Sequence, residues 1–179
     1  MKKFLSLIIG LGMIAASSLA AAQETVFLTG AGATFPYPLY SKWISVYQEK
    51  NPNVQINYQS IGSGGGIKQI TAGTVDFGAT DAPMAPKEIQ ETRGARIFHI
   101  PATMGGVAIG YNLPGITGLK LTPKALADIY LGKIKTWNHP DIAASNEGVA
   151  LPSGAITVVR RSDGSGTTDI FTDYLSKVS

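Results

Sequence analysis

Residues 160–168 read Arg-Arg-Ser-Asp-Gly-Ser-Gly-Thr-Thr, and they join two segments of different periodicity. The preceding residues 156–159 are β-branched and predict a short strand, whereas apolar residues from Ile170 to Val178 recur at helical spacing. Glycines let a ligand approach the backbone, and the first N–H groups of a helix lack intrahelical acceptors. This strand-loop-helix is typical of an oxyanion site, although an ordinary N-capped turn accounts for the same residues equally well.

Two further glycine-rich loops precede helices nearer the amino terminus. Residues 29–36 follow a short apolar strand and lead into a helix that Pro36 can begin. Residues 60–66 follow an alternating strand at residues 54–58 and lead into a helix that ends near Gly73. The glycine and lysine spacing of the second loop is not that of a Walker loop, so nucleotide binding is not indicated.

An acidic residue follows the next predicted strand. Residues 75–79 read as a buried strand, and Asp81 lies just beyond its carboxyl end. Asp81 either caps the helix predicted around residues 86–91, which is the commoner role at such a position, or belongs to a ligand site. A carboxylate repels an anion unless that anion brings a proton to share. In a ligand site, Asp81 would therefore favour hydrogen phosphate over a fully deprotonated sulfate.

The remaining segments continue the alternation of strands and helices. Residues 96–100 and 105–111 predict two strands, and residues 121–131 predict a helix. Trp43 and Tyr47 share one face of the first helix and are expected in the core. The alternation predicts an α/β architecture with mostly parallel sheets, in which ligands bind at the carboxyl ends of the strands.

The amino terminus is interpreted as a secretory signal peptide at residues 1–22. Lys2 and Lys3 precede an uncharged apolar run at residues 4–14, and small residues follow. This run is shorter than the roughly 20 residues of a membrane-spanning helix, so stable membrane insertion is not expected. The mature chain would begin near Gln23 and would reside in the periplasm.

Composition excludes several classes of function. The chain has 15 basic and 12 acidic residues, and two of the basic residues lie in the predicted signal peptide, so nucleic acid is not an expected partner. The chain contains no cysteine, which excludes disulfides, thiolate chemistry and zinc–cysteine clusters. Its two histidines, His99 and His139, are not placed beside a serine motif, and no metal-ligand spacing occurs. We therefore expect neither catalysis, cofactor nor metal.

The loops together resemble the periplasmic phosphate-binding proteins, which are the soluble receptors of bacterial ABC importers for phosphate. The matching blocks lie at residues 29–36, 61–70, 74–83, 128–137 and 158–167. The resemblance implies a two-lobed, hinged α/β fold, similar to type II periplasmic binding proteins, that closes on one phosphate. The first lobe would comprise residues 23–104 and the second residues 105–179.

The resemblance also implies which residues contact phosphate. These are Thr34, Phe35, Ser63, Asp81, Arg161, Ser165, Gly166 and Thr167. Phe35 would act through its backbone N–H, Asp81 would accept the phosphate proton, and Arg161 would be the charged donor. Strand alternation places Arg160 and Arg161 on opposite sides, and the resemblance rather than the pattern selects Arg161.

The implied function is capture of hydrogen phosphate by a monomer that presents it to a transmembrane permease. Two alternatives are a secreted phosphatase or phosphotransferase that uses a loop serine, and a receptor for another tetrahedral oxyanion such as sulfate. Members of the family are longer than this chain. The 179-residue chain is therefore expected to be an amino-terminal fragment, incomplete at its carboxyl end, with exposed core residues and weak phosphate binding of its own.

Overall fold

The computed structural model describes residues 24–92 and 96–179, so the predicted signal peptide lies outside the described residues. Within them, helices and strands alternate along the first half of the chain, and helices follow in the second half. In chain order they are β1 (Val26–Gly32), α1 (Tyr37–Lys50), β2 (Val54–Ser60), α2 (Ser63–Ala72), β3 (Phe77–Ala79), α3 (Pro86–Gln90), α4 (Pro123–Tyr130), α5 (Pro140–Ala143) and α6 (Gly166–Val178). The predicted α/β class is confirmed. None of the described helices is long and apolar enough to cross a membrane.

The three strands form one parallel sheet in the order β2-β1-β3. β1 pairs with β2 along its full length, and its last residues also pair with β3. Gly32 is thus level with Ser60 on one side and with Ala79 on the other. Because the strands are parallel, the loops that follow them leave from the same edge of the sheet.

Helix α2 lies unusually close to this edge, and a glycine permits the approach. A Cβ atom on Gly66 would lie 2.5 Å from the Cα of Gly32 and 2.8 Å from the carbonyl oxygens of Ala31 and Ala79. These distances are shorter than any tolerable contact with backbone atoms. The absence of a side chain at Gly66 therefore sets the distance between α2 and the sheet.

A small core on the sheet consists of buried residues Ala33, Tyr58 and Ala79, with Tyr40 and Ile44 of α1 packed against them. The expectation that Trp43 and Tyr47 lie in the core is wrong, because their exposed fractions are 47% and 49%. Helix α1 is rotated so that the stripe of Tyr40 and Ile44 faces the sheet, and the neighbouring aromatic stripe faces outward.

A second, separate hydrophobic cluster lies in the carboxyl-terminal part. Its buried members are Ala125, Ile129, Ile134 and Ile142. Helix α4 confirms the helix predicted at residues 121–131: Thr122 caps its first turn by accepting from the Ala125 N–H, at 3.1 Å, and Gly132 follows it with φ +71°. Helix α6 contacts α4 through an edge-to-face pair of Tyr130 and Phe171, whose ring centroids are 4.9 Å apart.

Three predicted strands are absent from the described part of the chain. Residues 96–100, 105–111 and 156–159 form no strand there. Ile100 and Val159 are both 83% exposed. Alternating and β-branched residues favour an extended backbone, but a strand also requires a neighbour that accepts and donates its hydrogen bonds, and these segments pair with none of the described strands.

Candidate anion-binding site

The loop at residues 160–168 folds back onto the loops that follow β1 and β2. The Gly64 N–H donates to the Gly164 carbonyl at 2.9 Å. The Arg161 Nη1 donates to the Thr34 Oγ1 at 3.0 Å, across 127 positions of the sequence. The convergence of loops on which an oxyanion site depends is therefore present in the structure.

Asp81 lies at the centre of the converged loops. Its Oδ2 accepts a hydrogen bond from the Thr167 Oγ1 at 2.7 Å, and its backbone N–H donates to the Ser63 Oγ at 3.3 Å. Its Oδ1 is buried and has no hydrogen-bond partner among the residues that the structure describes. A buried acceptor without a donor costs free energy, and a ligand O–H that reached this oxygen would remove that cost.

The alternative role of Asp81, as a cap of the next helix, does not occur. The N-cap position of α3 is Ala85, four residues further along the chain. The Ala85 N–H donates to the Glu88 Oε2 at 2.7 Å, so the helix supplies its own acceptor. The Asp81 side chain points to Thr167 instead.

Gly166 allows the first turn of α6 to approach this carboxylate. A Cβ atom on Gly166 would lie 2.5 Å from the Ser63 Oγ and 2.8 Å from the Asp81 Cβ. Both contacts are too short, so only glycine permits this arrangement. One compact polar cluster is thus formed by the Asp81 carboxylate, the Ser63 and Thr167 hydroxyls and the start of α6.

Arg161 has a partner that the sequence did not reveal. Its Nε donates to the Asp163 Oδ1 at 2.8 Å, and its Nη2 contacts the Asp163 Oδ2, so the pair is bidentate. These hydrogen bonds raise the pKa of the Arg161 guanidinium and lower the pKa of the Asp163 carboxyl. The available signal was an acidic residue two positions after the arginine. Arg160 is exposed, and its Nη1 lies 3.5 Å from the Arg161 carbonyl oxygen.

Ser165 shows that the N-capped-turn interpretation is correct in part. Ser165 is the N-cap of α6, and its Oγ accepts from the Thr168 N–H at 3.2 Å. Capping uses a lone pair of the hydroxyl oxygen and leaves the hydroxyl proton available for donation. The same turn can therefore cap a helix and contribute to a site.

A cavity of about 520 Å³ opens beside the polar cluster. Its lining includes Phe35, Asp81 and Thr167 together with residues 98–107. Of the eight residues that the resemblance implies, the structure thus places these three at the cavity. It places Thr34 against Arg161, and Ser63 against Asp81 and Gly166.

Each of the two histidines accepts a hydrogen bond from a backbone N–H group. The His99 Nε2 accepts from the Met84 N–H at 3.0 Å, and the His139 Nδ1 accepts from the Asp141 N–H, at 3.3 Å, at the start of α5. No group of potential metal ligands occurs among the residues with described positions. The converged loops thus offer hydroxyl and backbone donors, the Asp81 carboxylate, and the Arg161 guanidinium that is paired with Asp163, a set that suits a protonated oxyanion.

The chain belongs to the PBP superfamily, because residues 15–178 match the PBP superfamily domain. The parallel sheet and the loops at its carboxyl edge agree with this family. The most similar relatives include the phosphate-binding protein PstS of Pasteurella multocida, 53% identical over 165 residues, covering 91% of this chain and 47% of that protein. Another is PstS of Haemophilus influenzae, 54% identical, covering 85% and 45%. The chain spans about half the length of these relatives, and the resemblance drawn from the sequence is confirmed.

Solved structures show the same fold. A substrate-binding protein from Clostridium perfringens, crystallised with bound phosphate, is 26% identical and has a TM-score of 0.61, covering 83% of this chain and 56% of that one. An ABC-type phosphate transport receptor from Vibrio cholerae is 19% identical with a TM-score of 0.54, covering 83% and 55%, and it supports the fold alone.

Proposed function

We propose that the protein binds hydrogen phosphate in the periplasm, as a monomer, and delivers it to the transmembrane permease of an ABC importer. The observation that carries the proposal is the buried Asp81 Oδ1, which has no donor within the described part of the chain. The names of the PstS relatives and the phosphate in the Clostridium perfringens structure support this ligand.

Each wall of the site has a distinct role in this proposal. Donors come from the hydroxyls and backbone N–H groups of the three loops, and the partial positive charge at the start of α6 adds to them. Arg161 contributes a positive charge beside Thr34, and its pairing with Asp163 offsets part of that charge. The donors are the hydroxyls of Thr34, Ser63 and Ser165 and the backbone N–H groups of Phe35, Gly166 and Thr167, because the Thr167 hydroxyl already donates to Asp81.

Asp81 provides the selectivity. Thr167 already donates to Oδ2, so Oδ1 is the oxygen that accepts the phosphate proton. A sulfate dianion has no proton to offer, and it would meet this oxygen lone pair to lone pair. The site is therefore expected to bind a protonated tetrahedral anion more tightly than a fully deprotonated one, and this difference in affinity is expected to shrink when Asp81 is replaced.

We infer binding without turnover. Nucleophilic use of Ser165 would need a nearby base, and both histidines are engaged with backbone N–H groups elsewhere. Relatives that share more than half of the aligned residues are named as binding proteins, at 53% and 54% identity. Both considerations favour a receptor over a phosphatase.

Calorimetric titration of the protein expressed from its complete reading frame tests the proposal. Wild type is expected to bind phosphate and not sulfate. Asp81→Asn should weaken phosphate binding and reduce the difference between the two anions, because an amide no longer repels sulfate. Asp173→Asn changes an exposed carboxylate on α6 and is the matched control. Equal affinity of wild type for sulfate and phosphate would contradict the role of Asp81.

A further inference from the structure

A buried tyrosine lies at the junction of the three sheet loops. Tyr58 belongs to β2 and is 8% exposed. Its Oη donates to the Ala33 carbonyl at 2.7 Å. The Ala33 N–H donates to the Ala79 carbonyl, at 2.8 Å, at the end of β3. Both backbone polar groups of Ala33 are therefore bonded, one to each of the strands that flank β1.

Ala33 connects this junction to the candidate site. The next residue, Thr34, accepts from Arg161 at 3.0 Å, and Phe35 follows at the cavity. Ala79 lies two residues before Asp81. Because Ala33 is bonded to β2 and β3 together, its position fixes the Thr34–Phe35 segment relative to Asp81.

Aromatic neighbours hold the Tyr58 ring in place. The ring of Tyr40 meets it edge-to-face with centroids 5.3 Å apart, and the ring of Phe77 stacks on it at 6.0 Å. Burial, with smaller contributions from Tyr40 and Asp81, raises the pKa of the Tyr58 phenol above its ordinary value. The hydroxyl therefore stays protonated and remains a donor over the physiological pH range.

We propose that Tyr58 is a positioning residue for the anion site. It does not contact the anion, but it holds the Ala33 carbonyl so that Thr34 and Phe35 present their donors towards Asp81. Without the hydroxyl, the buried Ala33 carbonyl would lack its donor, and the loop would have to shift to find another. The inference rests on the proposed function, since it concerns the geometry of the same site.

The test compares Tyr58→Phe with wild type in the protein from its complete reading frame. Tyr47→Phe, which removes a hydroxyl from an exposed ring on α1, is the control. We expect the Kd for phosphate to rise about tenfold in Tyr58→Phe, as a lost hydrogen bond of this kind predicts, and to stay unchanged in Tyr47→Phe. The ¹⁵N–¹H resonance of the Phe35 amide in the phosphate-bound protein should shift only in Tyr58→Phe.

Partial unfolding would also raise the apparent Kd, so the comparison requires Tyr58→Phe in its folded state. If Tyr58→Phe is partly unfolded, sucrose shifts it to the folded state without contacting the site, and the titration is repeated there. Wild-type Kd and an unshifted Phe35 resonance in Tyr58→Phe would overturn the positioning role even if the variant melts earlier. Failure of wild type itself to bind phosphate would instead overturn the proposed function.

Discussion

The two oxygens of the Asp81 carboxylate have different surroundings, and this difference determines what the residue can do. Oδ2 is occupied by the Thr167 hydroxyl, whereas Oδ1 is buried without a donor in the described structure. A symmetric carboxylate would offer either oxygen to a ligand. Thr167 removes that ambiguity and leaves one acceptor for one proton.

Thr167→Val tests this assignment because valine has nearly the same shape but no hydroxyl. We expect phosphate affinity to fall at least about tenfold, corresponding to ~1.5–3 kcal/mol for a hydrogen bond to a charged group. Thr172 is exposed further along α6, and its hydroxyl bonds only within the helix. The Thr172→Val variant should therefore bind phosphate with the affinity of wild type. Titration calorimetry of both variants measures the effect, and equal affinities would show that the Thr167 hydroxyl is dispensable.

The Arg161–Asp163 pair predicts a pH dependence of stability. The pKa of Asp163 is lower in the folded protein than in the unfolded chain, because Arg161 donates to it. As pH falls below the ordinary carboxyl pKa, the unfolded chain therefore binds a proton at Asp163 before the folded protein does. The ion pair's contribution to the free energy of unfolding is fully present at neutral pH and is lost as pH falls through the folded pKa. Urea unfolding of wild type and Asp163→Asn should show a stability difference that shrinks between neutral and acidic pH. A difference that stays constant with pH would rule out the ion pair as its source.

At the scale of elements, contact between α2 and the sheet depends on a missing side chain. In Gly66→Ala the new methyl group would meet backbone atoms of Gly32 and Ala31 rather than a side chain that can move. We expect a loss of about 2 kcal/mol in the free energy of unfolding, although alanine is the better helix former. Gly154→Ala, where nothing lies within 4 Å of the added Cβ, is the control, and denaturant titration measures both. Equal stability of Gly66→Ala and wild type would mean that α2 can move away from the sheet at little cost.

Helix ends are predicted well from the sequence, because the residues at each end carry the signal themselves. Pro36, Thr122 and Gly132 mark helix ends through their own backbone and capping properties, and those helices are present. The orientation of α1 was not predictable, because two adjacent apolar stripes compete and only the packed sheet selects one. The strand predicted at residues 96–100 is not formed in the part of the chain that the structure describes, because a strand needs a partner elsewhere in the chain and a local pattern does not reveal whether one is present. The resemblance, rather than periodicity, supplied most of the candidate site, and it gave no indication of Asp163.

At the scale of the whole molecule, the described surface exposes apolar side chains beside the candidate site. Phe98, Ile100 and Met104 are all exposed, and they belong to the segment that lines the cavity. The relatives are about twice as long as this chain. We propose that further polypeptide in the complete protein covers this segment and helps to enclose the anion.

Residues 24–179 produced alone should therefore bind phosphate much more weakly than the protein from the complete reading frame. An anion in an open cavity keeps part of its water, and each hydrogen bond then contributes less than it does in a closed site. Titration of both forms with phosphate measures the difference. Tight binding by residues 24–179 would show that these loops suffice.

The hydrogen bond between Arg161 and Thr34 also sets an order of events in time. The sheet uses only residues 26–79, so its pairing does not require the carboxyl-terminal residues to be in place. The anion site cannot exist until residues 160–168 have returned across 127 positions to reach it, and closing so long a loop is slow. During refolding, phosphate binding is therefore expected to appear only after the sheet has formed. Its rate would report how fast the loop at residues 160–168 docks on the sheet loops.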